Sequence, residues 1–86
     1  MGSYRVEIKR SAGKELERLP AADKRRVISR IRTLADDPRP QGAKKLSGEE
    51  KYRIRQGDYS ILYEIHDEII TVVVVRIAHR REVYRK

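Results

Sequence analysis

Positive side chains occupy every second position in residues 51–55. Lys51, Arg53 and Arg55 alternate with Tyr52 and Ile54, which is typical of a strand with one face toward a core. Two residues on the same face of a strand lie about 7 Å apart. Guanidinium groups stay charged and offer fixed, paired donors, so the row predicts contact with a phosphate backbone. The alternative is an exposed strand whose cations only discourage edge pairing.

The C-terminal segment is a second basic group. The residues there that bear on chemistry are His79, Arg80, Arg81, Tyr84 and Arg85. Nearby positive charge favours the phenolate form of a tyrosine. Tyr84 is therefore a base, a platform for stacking on a nucleobase, or an aromatic side chain packed on the sheet. His79 is expected to be a turn residue, with proton donation as the alternative role.

The residue inventory excludes several kinds of site. The chain has no cysteine and only two histidines, which excludes disulfides and thiolate zinc sites and argues against a histidine-rich metal centre. It also lacks the signatures of serine hydrolases, zinc peptidases, P-loop NTPases and dinucleotide-binding folds. The paired carboxylates at 36–37 and 49–50 lie in polar segments, where they are expected to be turn and cap residues. We expect neither a cofactor nor a metal.

Length and charge set further limits. The 86 residues are expected to form one domain, residues 1–86, with a small core and an open surface site. A formal net charge of +8 favours a polyanionic partner, such as RNA, DNA, an anionic membrane or an acidic protein. No secretory signal is evident, and the longest apolar run, residues 69–75, is too short to span a bilayer. A cytoplasmic location is therefore expected.

Hydrophobic periodicity predicts two helices after a first strand. Residues 4–9 alternate as a half-buried strand, and Ser11 is expected to cap the helix that follows. A second helix is predicted from about Ala21 to Ala35, ending before Pro38. Its polar face carries five cations, which are Lys24, Arg25, Arg26, Arg30 and Arg32.

The rest of the chain predicts a sheet. Residues 38–50 are expected to form a polar loop that includes Lys44 and Lys45. Three strands follow, at residues 51–55, 59–65 and 69–77. The last is nearly all apolar and β-branched, as expected of a strand covered on both faces. The result is an α+β domain of order β-α-α-β-β-β, with two N-terminal helices packed on a mainly antiparallel sheet.

Segments in a fixed order carry a family resemblance. They are LERLP at residues 16–20, KYRIRQGDYSILY at residues 51–63, the apolar residues 72–77, and HRREVY at residues 79–84. Together with the first strand, they resemble toxins of the bacterial RelE/ParE superfamily, closest to the RelE-type mRNA interferases. The resemblance covers nearly the whole chain and implies the RelE-like fold.

The resemblance also implies a reaction that needs no metal and no nucleophile from the protein. RelE-type toxins cut mRNA in the ribosomal A site, where a ribose 2′-OH attacks the adjacent phosphate. By position, Arg53 and Arg55 would stabilise the transition state, Arg80 would contact the scissile phosphate, and Tyr84 would lie near the 2′-OH. The other basic residues expected to bind RNA are Lys44, Lys45, Lys51, His79, Arg81 and Arg85.

One position departs from the family pattern. Many members have arginine where this chain has Ser60. Three explanations are open: the toxin is less active, it contacts its substrate differently, or the residue was substituted so that cells survive expression. The implied partners are a cognate antitoxin, the ribosome and mRNA, with operator DNA bound only through the antitoxin complex. Two alternatives share the fold: a ParE-like inhibitor of DNA gyrase, and a catalytically weak co-repressor that binds the antitoxin.

Overall fold

The structure, a computed structural model, describes residues 3–46 and 50–79. The elements in these ranges are β1 (Arg5–Ile8), α1 (Arg10–Glu17), α2 (Ala21–Asp36), β2 (Lys44–Leu46), β3 (Lys51–Gln56), β4 (Tyr59–His66), a 3₁₀ turn (Asp67–Ile69) and β5 (Thr71–His79). The strands form one sheet in the order β1-β5-β4-β3-β2. Only the β1–β5 pair among them is parallel. The predicted α+β fold, with two helices on a mainly antiparallel sheet, is confirmed.

The core lies between the helices and one face of the sheet. Tyr52 and Ile54 of β3 are buried as predicted, and Ile61 and Tyr63 of β4 are buried beside them. From the other side, α2 contributes its apolar stripe, which is Val27, Ile31 and Leu34. Burying one such aliphatic side chain is worth roughly 1.5–3 kcal/mol. This packing fixes which residues of β3 point away from the helices, and Arg53 and Arg55 are among them.

A short edge strand replaces part of the predicted polar loop. Residues 44–46 pair with β3, with Lys44 opposite Arg53 and Leu46 opposite Lys51. The expectation of a loop over all of residues 38–50 is therefore wrong. Three residues with two lysines carry no alternation of their own, so it is the open edge of β3 that makes them a strand.

The predicted start of the last strand is also corrected. The apolar run begins at Ile69, but Asp67–Ile69 form a 3₁₀ turn and Ile70 has a φ of 51°. A β-branched residue rarely adopts positive φ, and this conformation delays the strand to Thr71. Ile69 and Ile70 are consequently 68 % and 53 % exposed.

The first helix begins without the predicted side-chain cap. Lys9 occupies the N-cap position, and Ser11 lies inside the helix. The backbone N–H of Lys9 donates to the carbonyl of Val74 at 2.9 Å, and its own carbonyl accepts from Gly13 at 2.8 Å. The helix therefore starts directly where β1 leaves the sheet, because the last sheet hydrogen bond and the first helical one share the same residue.

Candidate nucleic-acid interface

Four cations surround a hollow at the edge of the sheet. β3 continues past the point where Lys44 pairs with Arg53, so its end is not covered by β2. A concavity of about 240 Å³ opens there, and we call it the sheet-edge hollow. Its lining is Arg30, Gly42, Lys44, Arg53, Ile54 and Arg55. Among the residues that the structure describes, no acidic side chain lines it, so its electrostatic potential favours an anionic group.

Strand register brings Lys44 into the predicted arginine row. Lys44 and Arg53 are directly opposite each other, and Arg55 lies two residues along on the same face. Like charges opposite each other on a sheet destabilise the pair. An anion between them would remove that repulsion, so the row is better matched to a bound phosphate than to solvent.

The contribution of α2 to this hollow was not predicted. Arg30 borders the buried stripe of α2, between Val27 and Ile31, and reaches the edge of the sheet from the helix layer. The sequence places Arg30 on a polar helix face, but not beside β3. The signal that would find it is its position at the border of the apolar stripe, once α2 is known to pack over β3.

Gly42 shapes the entrance to β2. It has a φ of +98°, in the region that favours glycine, and an added Cβ would meet no atom within 4 Å. The turn therefore needs glycine for its backbone conformation and not for lack of space. It directs the chain into β2 so that Lys44 faces the sheet-edge hollow.

Ser60 lies beside the arginine row but is not open to it. It pairs with Arg55 on one side and with Ala78 on the other. Its side chain is only 1 % exposed. Ser60 is therefore next to the row in the sheet, while its hydroxyl is enclosed and does not line the hollow.

The other predicted RNA-binding lysines lie elsewhere. Lys45 pairs with Tyr52, on the opposite face from Lys44, and its Nζ lies 3.3 Å from Glu50 Oε2. Lys51 shares the face of the row, but it lies opposite Glu64 and lines an acidic concavity at the far end of β3. The structure thus brings Lys44, Arg53 and Arg55 together and sets Lys45 and Lys51 apart from them.

His79 is a strand residue, so its expected place in a turn is wrong. It ends β5 opposite Tyr59, and the two rings meet edge to face with centroids 5.5 Å apart. Sheet pairing extends further along the chain than the apolar run does, because β4 offers Tyr59 as a partner. The remaining predicted residues of the C-terminal segment, which are Arg80, Arg81, Tyr84 and Arg85, lie outside the described residues.

Arg39 holds together four separate segments at the other end of β3. Its guanidinium lies 2.9 Å from Asp67 Oδ2 and 3.0 Å from Glu50 Oε1, and its Nε donates to the Tyr52 hydroxyl at 3.0 Å. The Tyr4 hydroxyl also donates to Asp67, at 2.7 Å. Arg39 is the main reason that the pKa values of Asp67 and Glu50 lie below their ordinary range. We call this group of five residues the Arg39 clamp.

The same segment is anchored a second time by Tyr63. Its buried hydroxyl donates to the carbonyl of Pro38 at 2.8 Å, and burial raises the pKa of Tyr63 to about 12. The Tyr63 ring also stacks on Tyr52, with centroids 5.8 Å apart. Residues 37–43 lead from α2 into β2, so these contacts fix the segment that carries Gly42 and Lys44 to the hollow.

The described ranges give two further findings. Across residues 3–46 and 50–79, no group of three or more His, Asp or Glu side chains is arranged to hold a metal ion. No helix in the same ranges has the length and apolar character needed to cross a membrane.

Comparison with known proteins identifies the family. A family described as "ParE toxin of type II toxin-antitoxin system, parDE" matches residues 6–84. Toxin RelG of Mycobacterium tuberculosis is 32% identical over 87 residues, covering 96% of this chain and 98% of that protein.

Solved structures agree with this match. The toxin–antitoxin complex RelBE2 of M. tuberculosis gives a TM-score of 0.82 at 32% identity, covering 93% of this chain and 94% of the other. The archaeal RelE–RelB complex of Pyrococcus horikoshii gives 0.79 at 27% identity, with coverages of 91% and 96%. Isolated E. coli RelE gives 0.80 at 25% identity, with coverages of 95% and 92%. The chain therefore belongs to the RelE/ParE superfamily and is a toxin of the type II toxin–antitoxin kind.

Proposed function

We propose that this toxin is a ribosome-dependent endoribonuclease that cleaves mRNA in the A site. The observation that carries the proposal is the convergence of Arg30, Lys44, Arg53 and Arg55 on one hollow, whose described lining includes no acidic residue. Such a site suits a reaction in which negative charge accumulates on a phosphate. It requires no nucleophilic side chain and no metal.

In this reaction the substrate supplies its own nucleophile. The ribose 2′-OH loses its proton and attacks the adjacent phosphorus, the bond from phosphorus to the 5′-oxygen breaks, and that oxygen takes up a proton. Arg53 and Arg55 would hold the non-bridging oxygens as their charge increases. Lys44 and Arg30 would add positive charge from the two sides of the hollow. For the residues outside the described ranges, we propose that Arg80 contacts the scissile phosphate and that Tyr84 accepts the proton of the 2′-OH.

The proposed partners follow from the shape of the site and from the relatives. The hollow is open, so the ribosome would have to position the mRNA against it. Two of the similar structures are complexes of RelE-type toxins with their antitoxins. We infer that a cognate antitoxin neutralises this toxin in the cytoplasm, and that operator DNA is bound only through the resulting complex.

The test is primer extension on an mRNA translated by purified 70S ribosomes. The wild type is expected to produce discrete cuts at A-site codons, and Arg53→Gln/Arg55→Gln to lose them. The matched control is Arg10→Gln/Arg18→Gln, which removes the same charge from two exposed arginines of the α1 region. It should cut like the wild type. If Arg53→Gln/Arg55→Gln also cut like the wild type, the arginine row would have no role in the mechanism.

A second candidate is inhibition of DNA gyrase. It is favoured by the match to a family described by its ParE toxins and by Ser60 at a position where many RelE-type toxins have arginine. Intact mRNA together with gyrase-linked DNA breaks would replace the first proposal with this one. If neither appears while the protein still binds its antitoxin, its role is that of a co-repressor.

A further inference from the structure

The polar face of α2 contains a second basic surface, of which the proposed reaction uses only Arg30. A concavity of about 530 Å³ lies there, and we call it the α2 hollow. Its lining is Ala22, Arg25, Arg26, Ser29, Arg30, Thr33 and Gln56. Three of these residues are arginines and none is acidic. The helix presents them together because residues three and four apart share one face.

The α2 hollow shares one lining residue with the sheet-edge hollow. Arg30 lines both of them, and Gln56, the last residue of β3, joins the α2 hollow to the end of the same strand. The positive surface therefore runs from the arginine row, around the edge of the sheet left open by β2, onto the outer side of α2.

The charges of the α2 hollow are only slightly compensated. Arg26 forms an exposed ion pair with Asp23 at 3.7 Å, and such pairs are weak. Within the described ranges, no carboxylate forms an ion pair with Arg25 or Arg30. These guanidinium groups are available to an anionic ligand.

We propose that the α2 hollow binds a second stretch of RNA backbone, outside the strand that is cut. The inference rests on the proposed function, because it extends the RNA path from the sheet-edge hollow. Arginine offers paired donors to phosphate, and Ser29 and Gln56 add neutral donors for phosphate and ribose oxygens. An acidic protein fits less well, since protein interfaces are centred on aromatic and large apolar side chains and this lining has only Ala22.

The proposal separates binding from catalysis. Arg25 and Arg26 do not line the sheet-edge hollow, so their contacts would not touch the reacting phosphate. They would strengthen binding to the ribosome and its RNA while leaving the rate of the bound complex unchanged. Binding through phosphates also releases counterions, so each lost contact reduces the dependence of affinity on salt.

The test compares two double variants of α2 that lose the same charge. Arg25→Gln/Arg26→Gln removes cations from the α2 hollow, whereas Lys24→Gln/Arg32→Gln removes cations that do not line it. Glutamine keeps helix propensity close to that of lysine and arginine. Circular dichroism and thermal melting check that all the proteins fold. Binding is measured with labelled toxin and 70S ribosomes carrying an mRNA with a 2′-deoxy A-site codon, which cannot be cut.

The expected result is a loss of affinity in one variant only. For Arg25→Gln/Arg26→Gln, the slope of log affinity against log salt should shrink by about 1.4, at about 0.7 per lost contact. Its dissociation constant at 0.1 M salt should rise roughly ten- to thirtyfold, as that slope implies. The cleavage rate at saturating ribosomes should stay within about twofold of the wild type. The control, Lys24→Gln/Arg32→Gln, should match the wild type in salt slope, dissociation constant and cleavage rate.

Each other result overturns a defined part of the argument. If the two double variants bind ribosomes alike, the α2 hollow is not an RNA site, although cleavage that depends on Arg53 and Arg55 would still support the proposed function. If Arg25→Gln/Arg26→Gln loses affinity for the antitoxin but not for ribosomes, the hollow binds a protein and not RNA. If the wild type neither binds programmed ribosomes nor cuts mRNA, the proposed function and this inference are both wrong.

Discussion

Ser60 is the position at which the family resemblance implies an arginine. It lies opposite Arg55 and is enclosed by its neighbours. We predict that Ser60→Arg raises A-site cleavage about tenfold or more, because one charged hydrogen bond of roughly 1.5–3 kcal/mol is gained in the transition state. Because the site of Ser60 is already packed, the longer arginine side chain has to displace its neighbours, and thermal stability should fall at the same time.

Ser60→Met is the control for size without charge. It should lower the melting temperature in a similar way but give no additional cleavage in primer extension. If Ser60→Arg folds stably and cuts no faster than the wild type, Ser60 does not stand in for a missing catalytic arginine, and the site has been rearranged around it.

Tyr84 offers a second test at a single residue, one that lies outside the described ranges. If it transfers the proton of the 2′-OH, Tyr84→Phe should slow cleavage nearly as much as Tyr84→Ala. If it stacks on a base, phenylalanine should be tolerated and alanine should not. Single-turnover cleavage on programmed ribosomes measures both. Full activity in both variants would exclude Tyr84 from the mechanism.

Gly42 is a single residue that positions a whole element, the edge strand β2. Its φ of +98° is costly for any residue with a Cβ. We predict that Gly42→Ala lowers stability by about 1 kcal/mol and weakens cleavage, because the strain shifts the entry to β2 and with it Lys44. Gly13→Ala is the matched control, since Gly13 lies in α1 without positive φ and alanine favours helix. In thermal melting, Gly42→Ala should lower the melting temperature and Gly13→Ala should raise it.

Among the elements, the Arg39 clamp predicts an acid-sensitive connection between α2 and β2. Arg39 lowers the pKa values of Asp67 and Glu50 in the folded protein. Their stabilising effect is present above the unfolded-state values and is lost as pH falls through the lower folded values. We therefore expect the melting temperature to fall between about pH 5 and pH 2. In Arg39→Gln this fall should be smaller, while stability near neutral pH is already reduced.

Arg32→Gln is the control for removing one arginine from the same region of the chain. Its melting temperature should follow the wild type across the acid range. If Arg39→Gln also followed the wild type, the clamp would not be the source of the acid sensitivity.

Elements with a clear hydrophobic period were predictable, and those made by partners were not. The alternation of β3 and β4 and the apolar stripe of α2 gave their positions closely. β2 has no such pattern and was not predicted, because only its pairing with β3 makes it a strand. The clamp was also missed, since Arg39, Glu50 and Asp67 are far apart in sequence and each lies in a segment that reads as a solvated turn. Arg30 was recognised as a surface cation, but not as part of a site.

For the whole molecule, the open site and the net charge of +8 predict dependence on context. The sheet-edge hollow is too small to enclose a substrate. We expect purified toxin to bind free RNA in a salt-dependent manner and to cut it slowly. Programmed ribosomes should accelerate cleavage by several orders of magnitude, through positioning. Gel analysis of one mRNA with and without ribosomes measures this, and rapid metal-independent cutting of free RNA would contradict it.

The parallel pairing of β1 with β5 determines when this molecule can become complete. Arg5 pairs with Thr71, so β1 has no sheet partner until the chain has been made as far as β5. β5 is also the strand that joins β1 to β4. During synthesis the helices can form early, but closing the sheet requires a contact between distant parts of the chain. The five-stranded sheet is thus completed late, although β3 and its arginine row can pair with β2 and β4 earlier, and the finished toxin requires nearly all of the described chain to have left the ribosome that made it.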